Sequence, residues 1–288
     1  MVVKSSKVNK ILIAFVVVVS IMAINISHPL ADEDIIRNYF GIGMTQEEYN
    51  TLLELGFTED EIYYMTEETY EENKDLDATL LTSNTKYYKT VVPMYGLSYS
   101  VEVTPMEYFN HGDAQVLDTL TTYYRQQVST ISQNGTTKYR YKMTTAWLNW
   151  PSVASYDIMA IGFVDSVYIS SNQVFFTYTY ADQNGQYTTS SVYYDKKKTA
   201  YGGSVVYLMP SNVTSLTSTI YFDVKKNTNN TLTSLTMCGD YAHALNAVTQ
   251  TQAANHMISS GGITHDPSVY PYYDDTMCCY GNITGINW

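Results

Sequence analysis

The sequence is poor in basic residues, and this shortage excludes one large class of partners. Only 16 Lys and Arg stand against 28 Asp and Glu in 288 residues, which gives a formal net charge of −12. A nucleic-acid-binding surface needs a basic face that neutralises phosphates. We therefore expect no nucleic-acid partner.

The short motifs of common enzyme and cofactor sites are also missing. The sequence contains no HExxH, GxSxG, P-loop or GxGxxG pattern, and no CxxC pair. We expect no cofactor and no metal. Whether the protein is an enzyme stays open at this point, with a non-catalytic protein favoured.

The residues left for chemistry are scattered along the chain. His256, His265 and Asp266 could approach a metal, but their spacing fits no local ligand pattern. A thiol nucleophile would need Cys278 or Cys279 beside His243 or His265. The carboxylates available for a glycosidase pair are Glu102, Glu107, Asp157, Asp223 and Asp240. Calcium is conceivable at Asp266, Asp274 and Asp275, but it would want more oxygen ligands at closer spacing.

Cysteine is scarce, with Cys238, Cys278 and Cys279 as its three occurrences. Adjacent cysteines rarely bridge to each other, because the intervening peptide strains the ring. Cys238 could therefore pair with either of the other two. We expect one structural disulfide and one inert thiol.

The N-terminus predicts export. Lys4, Lys7 and Lys10 precede the uncharged run Ile11–Ile24, which has the length of a secretory h-region and is short for a bilayer span. We assign a signal peptide to residues 1–31, with an uncleaved signal anchor as the alternative. The predicted location is secreted, with association to the cell surface as an option.

The acidity is concentrated in one short segment. Residues 32–77 contain 15 Asp and Glu against Arg37 and Lys74. In this segment Thr45 with Glu48, and Thr58 with Glu61, have the spacing of helix capping boxes. A third helix is expected to start at Thr66, with a small core from Tyr49, Leu52, Leu55, Phe57, Ile62 and Met65. We predict an acidic helical module at 32–77 and a linker at 78–85.

Residues 86–288 are rich in Tyr, Thr, Val and Ser, which favour strands. Asn134-Gly135 lies between two β-branched and aromatic runs, a strong hairpin signal, although Leu117, Leu120, Tyr124, Val128 and Ile131 also fall at helical spacing. Turn signals recur every 10 to 15 residues. We predict a mainly β fold, with an antiparallel β-sandwich or barrel-like domain after the helical module and Trp147 in its core.

A second hairpin is predicted at 172–195, built from Tyr, Thr and Ser. A two-residue turn at Asn184-Gly185 would pair Tyr180 with Thr189 and Tyr178 with Ser191. Tyrosine offers a flat apolar ring and a hydroxyl, which suit sugars and protein partners. The candidate ligand-binding residues are Tyr178, Tyr180, Tyr187 and Tyr193.

The stretch KYRYKMTTAWLNWPSVASYDIMAIGF is similar to a segment of uncharacterised, secreted β-rich proteins of Gram-positive bacteria. YAHA at 241–244 and YYDD at 272–275 resemble later parts of the same proteins. LGFTEDEIYYMTEETYEE resembles a short acidic helical element in many exported proteins of the same bacteria. The resemblance implies export and a β fold. It supplies no catalytic residues.

Together these patterns favour a secreted or surface-associated, non-catalytic binding protein of the adhesion type with a Tyr-rich β surface. Its partner would be a glycan, the cell wall or a host protein. A pore-forming protein whose hairpin enters a membrane is the alternative, although Ser191 and Thr189 interrupt the apolar face that a membrane strand needs. An extracellular hydrolase is a second alternative.

Overall fold

The structure, a computed structural model, describes residues 35–91, 98–110, 122–148, 151, 153–164 and 166–284, with the backbone alone for 275–278. The signal peptide predicted at 1–31 lies outside these ranges. Antiparallel strands make up most of the described chain, and a small acidic helical module precedes them. The predicted fold class is therefore confirmed.

The helical module begins with a short hairpin and continues with three capped helices: β1 (Ile36–Arg37), β2 (Gly43–Met44), α1 (Gln46–Glu54), α2 (Glu59–Tyr63) and α3 (Glu67–Asn73). Thr45 and Thr58 form the predicted capping boxes with Glu48 and Glu61, and Thr66 is the N-cap of α3. The predicted apolar residues pack into one small core, which extends onto the neighbouring sheet through Ile131 and Leu80.

Within the described ranges, eight strands form the larger sheet. In chain order they are β3 (Ala78–Val91), β4 (Tyr99–Val103), β5 (Thr122–Gln133), β6 (Lys138–Trp147), β8 (Val167–Ile169), β9 (Phe175–Asp182), β10 (Tyr187–Ser190) and β13 (Val213–Lys226). The spatial order is β10-β9-β13-β6-β5-β3-β4, with β8 paired to β13. The hairpin predicted at Asn134-Gly135 joins β5 to β6.

The smaller sheet has the order β11-β12-β7-β14-β17. Its strands are β7 (Tyr156–Phe163), β11 (Asp195–Thr199), β12 (Gly202–Leu208), β14 (Ser234–Ala244) and β17 (Tyr273–Thr284). A layer that contains α5 (Gln250–Ala254) and the hairpin β15 (Met257–Ser259) with β16 (Gly262–Thr264) covers its outer face. Among the described residues, no helix is both long and apolar enough to cross a bilayer.

The main core lies between the two sheets and contains Trp147, as predicted, together with Tyr141, Tyr207 and Tyr241. The sheets approach closely at Gly239, where a Cβ atom would lie 2.3 Å from Cγ1 of Val128. A side chain at Gly239 would therefore push the sheets apart.

The linker predicted at 78–85 is wrong. These residues form the first part of β3, which pairs with β5 from Ala78 opposite Gln133 to Thr90 opposite Thr122. Half-buried and exposed side chains alternate from Ala78 to Ser83, because one side of the strand packs on the helical module through Ala78 and Leu80. The helical module therefore continues directly into the larger sheet.

The register predicted for the second hairpin is also wrong, by one residue. Asp182 N–H donates to the carbonyl of Gln186 (2.9 Å), so the loop has three residues and not two. Oδ1 of Asp182 accepts the backbone N–H groups of Asn184 and Gln186, and Gly185 takes a positive φ of 76°. Such a loop has one residue more than the predicted two-residue turn, and this extra residue shifts the pairing of the two strands by one position. Thr179 consequently lies opposite Thr189.

Candidate functional site

A groove of about 420 Å³ lies on the outer face of the larger sheet, beside the helical module. This volume falls in the range of about 300–1,000 Å³ that is usual for ligand sites. We call it the threonine groove. The sheet forms its floor, the helical module forms one wall, and α4 (Pro105–Asn110) contributes Tyr108 and Phe109 at the other side.

The floor consists of small residues in cross-strand rows. In one row Ala146 of β6 is paired with Thr217 of β13, Thr217 with Thr179 of β9, and Thr179 with Thr189 of β10. In the next row Thr219 is paired with Thr177. Alternation along each strand places these side chains on the outer face and the large apolar ones in the core. The result is a flat floor of threonine side chains.

Several hydroxyl groups of this floor are free to bind a ligand. In the described chain, the side chains of Thr177, Ser215 and Thr217 take part in no hydrogen bond, whereas Thr179 and Thr189 share one of 2.8 Å. A hydroxyl group both donates and accepts hydrogen bonds. The floor therefore presents donors and acceptors without large side chains that would fill the groove.

The wall is aromatic where the hairpin β9–β10 meets the helical module. The rings of Tyr64 and Tyr187 are stacked, with centroids 3.9 Å apart and an interplanar angle of 17°. Thr189 donates a hydrogen bond of 3.2 Å to the carbonyl of Tyr64, and Tyr187 N–H donates to the hydroxyl of Tyr39. Burial, followed by the hydrogen bond with Tyr187, raises the pKa of Tyr64, so its hydroxyl stays protonated.

A buried ion pair fastens the helical module to the floor. Lys142 Nζ lies 3.0 Å from Oε1 of Glu61, and the two side chains are only 3% and 7% exposed. The same oxygen accepts a hydrogen bond of 2.8 Å from Thr144, and Oε2 accepts the N–H of Thr58. Burial alone would raise the pKa of Glu61, but the Lys142 charge and these hydrogen bonds outweigh it and lower the pKa.

The four candidate tyrosines do not share one surface. Tyr178 and Tyr180 pack partly buried against the main core, and Tyr187 lines the threonine groove. Tyr193 is exposed in the connection to β11, where Lys196 Nζ lies 4.4 Å from its ring centroid. The observed register explains this separation, because Tyr187 and Thr189 now face outward with Thr179, while Tyr178 and Tyr180 face inward.

The other candidate residues have structural partners. The carboxylates of Glu102 and Glu107 pair with lysines, Asp223 pairs with Arg140, and Asp240 accepts the N–H of Ile263. Asp157 is buried between the sheets and accepts hydrogen bonds from the Tyr241 hydroxyl and the Ala244 N–H, with His243 Nδ1 at 3.1 Å. None of these carboxylates lies in the threonine groove.

The histidines proposed for a metal are buried and lie apart from the groove. His256 contacts Ser204 through Nε2 (2.7 Å), and His265 stacks on Tyr273. Burial lowers the pKa of both imidazoles to about 4. In the described ranges, no three His, Cys, Asp or Glu side chains come together as a metal site. Asp266 accepts hydrogen bonds from Ser268.

The cysteines lie on β14 and β17. Cys238 is disulfide-bonded, and Cys279 is a free thiol buried in the core. Burial raises the pKa of the Cys279 thiol to about 11, which keeps it protonated and unreactive near neutral pH. The side chains of Cys278 and Asp275 lie outside the part that the structure describes.

The sequence contains a signal for the groove in its hydroxyl residues, which the candidate tyrosines alone do not reveal. Thr177 and Thr179 alternate with tyrosines, and Ser215, Thr217 and Thr219 alternate with residues of the core. Two strands with the same hydroxyl period indicate one polar face. Only the strand order shows that these faces are neighbours.

Comparison with known proteins gives no family. No family model matches the chain, and no curated protein sequence matches it. The collagen-binding domain of the Erysipelothrix rhusiopathiae surface protein RspB aligns at 8% identity and a TM-score of 0.28, over 58% of this chain and 67% of that one. The C-terminal domain of the Streptococcus agalactiae AgI/II polypeptide BspA aligns at 8% identity and a TM-score of 0.30, over 70% and 79%.

A pore-forming protein aligns at 7% identity and a TM-score of 0.25, over 71% of this chain and 94% of that one. At these TM-scores the similarity does not establish a shared fold. No function is carried over from these proteins.

Proposed function

We propose that this protein is an exported, non-catalytic binding protein of the adhesion type that holds a glycan in the threonine groove. The observation that carries the proposal is the combination of a free-hydroxyl floor with a stacked tyrosine wall. Sugar rings have hydroxyl groups at their edges and C–H groups on their faces. Such a ring can exchange hydrogen bonds with Thr177 and Thr217 while its face packs on Tyr187.

Export is supported by two features that are independent of the groove. The N-terminal segment has the charge and apolar length of a secretory signal, and Cys238 is disulfide-bonded. Disulfides persist mainly in oxidising compartments outside the cytosol. A secreted or surface-associated location agrees with a glycan ligand.

The hydrolase alternative has less support in the groove. A glycosidase needs a general acid whose pKa is raised. Among the described residues, the carboxylates that line the groove are those of Asp60 and Glu61, and Glu61 is paired with Lys142 and has a lowered pKa. An ion-paired carboxylate of this kind is a poor proton donor near neutral pH.

The membrane-inserting alternative has less support in the hairpin. β10 spans four residues, whereas a membrane strand needs about 9 to 11. The inner face of the hairpin packs on the core through Tyr178 and Tyr180, and its outer face is fastened to the helical module. Insertion of this hairpin into a membrane would break the contacts of its inner face with the core and of its outer face with the helical module.

Binding of the purified mature protein to a glycan panel tests the proposal. The variant Ala146→Phe fills the floor of the groove with a residue that favours strands, and Thr85→Phe makes a similar addition on β3, outside the groove. We expect the wild type and Thr85→Phe to retain the same glycans and Ala146→Phe to lose them. Equal retention by all three proteins, or retention of no glycan by the wild type, would refute the proposal.

Tyrosine variants provide a second comparison. Tyr187→Ala removes one of the two stacked rings of the aromatic wall, while Tyr193→Ala removes an exposed tyrosine outside the groove. A pair of packed aromatic rings contributes about 0.5–1.5 kcal/mol, and a contribution of the same size from a sugar face on Tyr187 would change the affinity about two- to tenfold. We expect weaker binding for Tyr187→Ala and unchanged binding for Tyr193→Ala.

A further inference from the structure

Arg125 lines the threonine groove and forms no ion pair with any residue that the structure describes. It lies on β5, where its register partners are Tyr87 on β3 and Ala146 on β6. This position places it on the outer face, at the side of the groove formed by Tyr108 and Phe109. The residue is half-buried.

The neighbouring basic residues on the larger sheet each have a carboxylate partner. Lys142 pairs with Glu61 at 3.0 Å, Arg140 with Asp223 at 2.8 Å, and Lys86 with Glu102 at 2.8 Å. Within the described ranges, Arg125 forms no ion pair and its guanidinium donates no hydrogen bond. A partly desolvated cation without a hydrogen-bond acceptor raises the free energy of the folded protein. A bound anion would supply the missing acceptor and remove this destabilisation.

The charges of the two walls are opposite. Asp60, in the first turn of α2, lines the groove from the helical module, whereas Arg125 lines it from the sheet. The pair Glu61–Lys142 beneath them is neutral as a unit. An anionic group would therefore turn away from Asp60 and toward Arg125, and hydroxyl groups of the same ligand could donate to Asp60.

We propose that the threonine groove selects glycans that carry a carboxylate, such as uronic or sialic acids, and that Arg125 binds this carboxylate. The inference rests on the proposed glycan-binding function and names its ligand class. The planar guanidinium matches a carboxylate through two parallel N–H···O bonds, which lysine cannot form. The aromatic wall at Tyr187 and the floor hydroxyls would hold the rest of the sugar.

The test compares each acidic sugar with its own neutral derivative. Oligogalacturonate, oligoglucuronate and sialyl-lactose are each presented beside the corresponding carboxyl methyl ester, together with a sulfated neutral oligosaccharide. The proteins are the wild type, Arg125→Gln, Arg125→Lys and the control Lys138→Gln, which removes a charge at the far end of β6 from Ala146.

We expect the wild type and Lys138→Gln to bind at least one acid about tenfold more tightly than its ester, because a charge-assisted hydrogen bond is lost in the ester. Arg125→Gln should bind acid and ester equally, and Arg125→Lys should recover only part of the preference. Far-UV circular dichroism of each variant confirms that the fold is intact.

Other outcomes separate the two proposals. If the wild type binds esters as well as acids, or prefers the sulfated sugar, or if Arg125→Gln keeps the preference, the carboxylate inference is wrong while glycan binding stands. If the wild type binds no acid, ester or sulfated sugar, the carboxylate inference is wrong, and glycan binding is refuted as well only when the wild type also retains no glycan of the panel.

Discussion

The buried pair Glu61–Lys142 should be the strongest single link between the helical module and the larger sheet. Lys142 is 3% exposed, its Nζ also donates to the carbonyl of Gly56, and it lies 3.8 Å from the ring centroid of Phe57. The substitution Glu61→Gln removes the negative charge and keeps an oxygen that can accept the Thr58 N–H. It therefore isolates the charge from the capping box.

The expected loss is large because Lys142 would remain buried without a counter-ion. Removal of one partner from a buried ion pair costs about 3–5 kcal/mol, a substantial part of a typical unfolding free energy of about 5–15 kcal/mol. The double variant Glu61→Gln with Lys142→Met removes both charges. We expect it to be more stable than Glu61→Gln alone, with a coupling free energy of about 1.5–3 kcal/mol.

Urea unfolding of the wild type, Lys142→Met, Glu61→Gln and the double variant measures this coupling. The pH dependence provides an internal check. Because the folded pKa of Glu61 is below its ordinary value of 4.5, its contribution is complete above pH 4.5 and is lost as the pH falls through the folded pKa. The difference between wild type and Glu61→Gln should shrink only below pH 4.5. A loss under 1 kcal/mol for Glu61→Gln, or additive single variants, would contradict this account.

Three further predictions concern Gly239, the thiol of Cys279, and the buried imidazoles of His256 and His265. Gly239→Ala should destabilise the fold by about 1–3 kcal/mol in urea unfolding, because its Cβ would lie 2.3 Å from Val128; a neutral result would mean that the sheets can separate without cost. Cys279 should resist iodoacetamide at pH 7.5 in the native protein and react after unfolding, as followed by peptide mass spectrometry; rapid native labelling would contradict its burial and its pKa of about 11. Burial lowers the folded-state pKa values of His256 and His265 to about 4, below the ordinary 6.5. The unfolding free energy should therefore fall as the pH drops from 6.5 toward 4, because the unfolded chain binds protons more readily. NMR signals of the two imidazoles in the native protein should show the neutral form predominating above pH 5, and a midpoint near 6.5 would contradict this prediction.

The helical module shows how much local sequence signals can determine. Thr45 and Thr58, each three residues before a glutamate, predict the observed helix starts because the capping box is a local interaction. Gly56 takes a positive φ of 79° just after α1, as a helix-terminating glycine does. No contact with distant residues is needed for these features.

Strand β5 shows a conflict between two local signals. Tyr124, Val128 and Ile131 fall at helical spacing, yet the segment is a strand that pairs on both sides. Both faces of β5 are covered, one by the smaller sheet and one by the helical module. Apolar residues therefore occur on both faces, and their spacing carries little information about secondary structure.

The groove could not be predicted from the tyrosines because it depends on register and strand order. A one-residue error at Asp182 moves Tyr187 from the outer to the inner face of the hairpin, beside Tyr178 and Tyr180. The side-chain carboxylate of Asp182 accepts two backbone N–H groups and lengthens the turn, which the Asn-Gly pair alone does not indicate. The position of Arg125 beside the threonine floor depends on long-range pairing of five strands.

The most direct test of glycan binding in the threonine groove is NMR of threonine methyl groups during titration with the glycan that the panel identifies. Thr177, Thr179, Thr217 and Thr219 report from the floor, and Thr85 reports from the same sheet outside it. If the groove holds the glycan, the four floor methyl groups show saturable shifts and the Thr85 methyl group shows none. Glycan binding without shifts at the floor, or with the largest shifts elsewhere, would contradict binding in the groove.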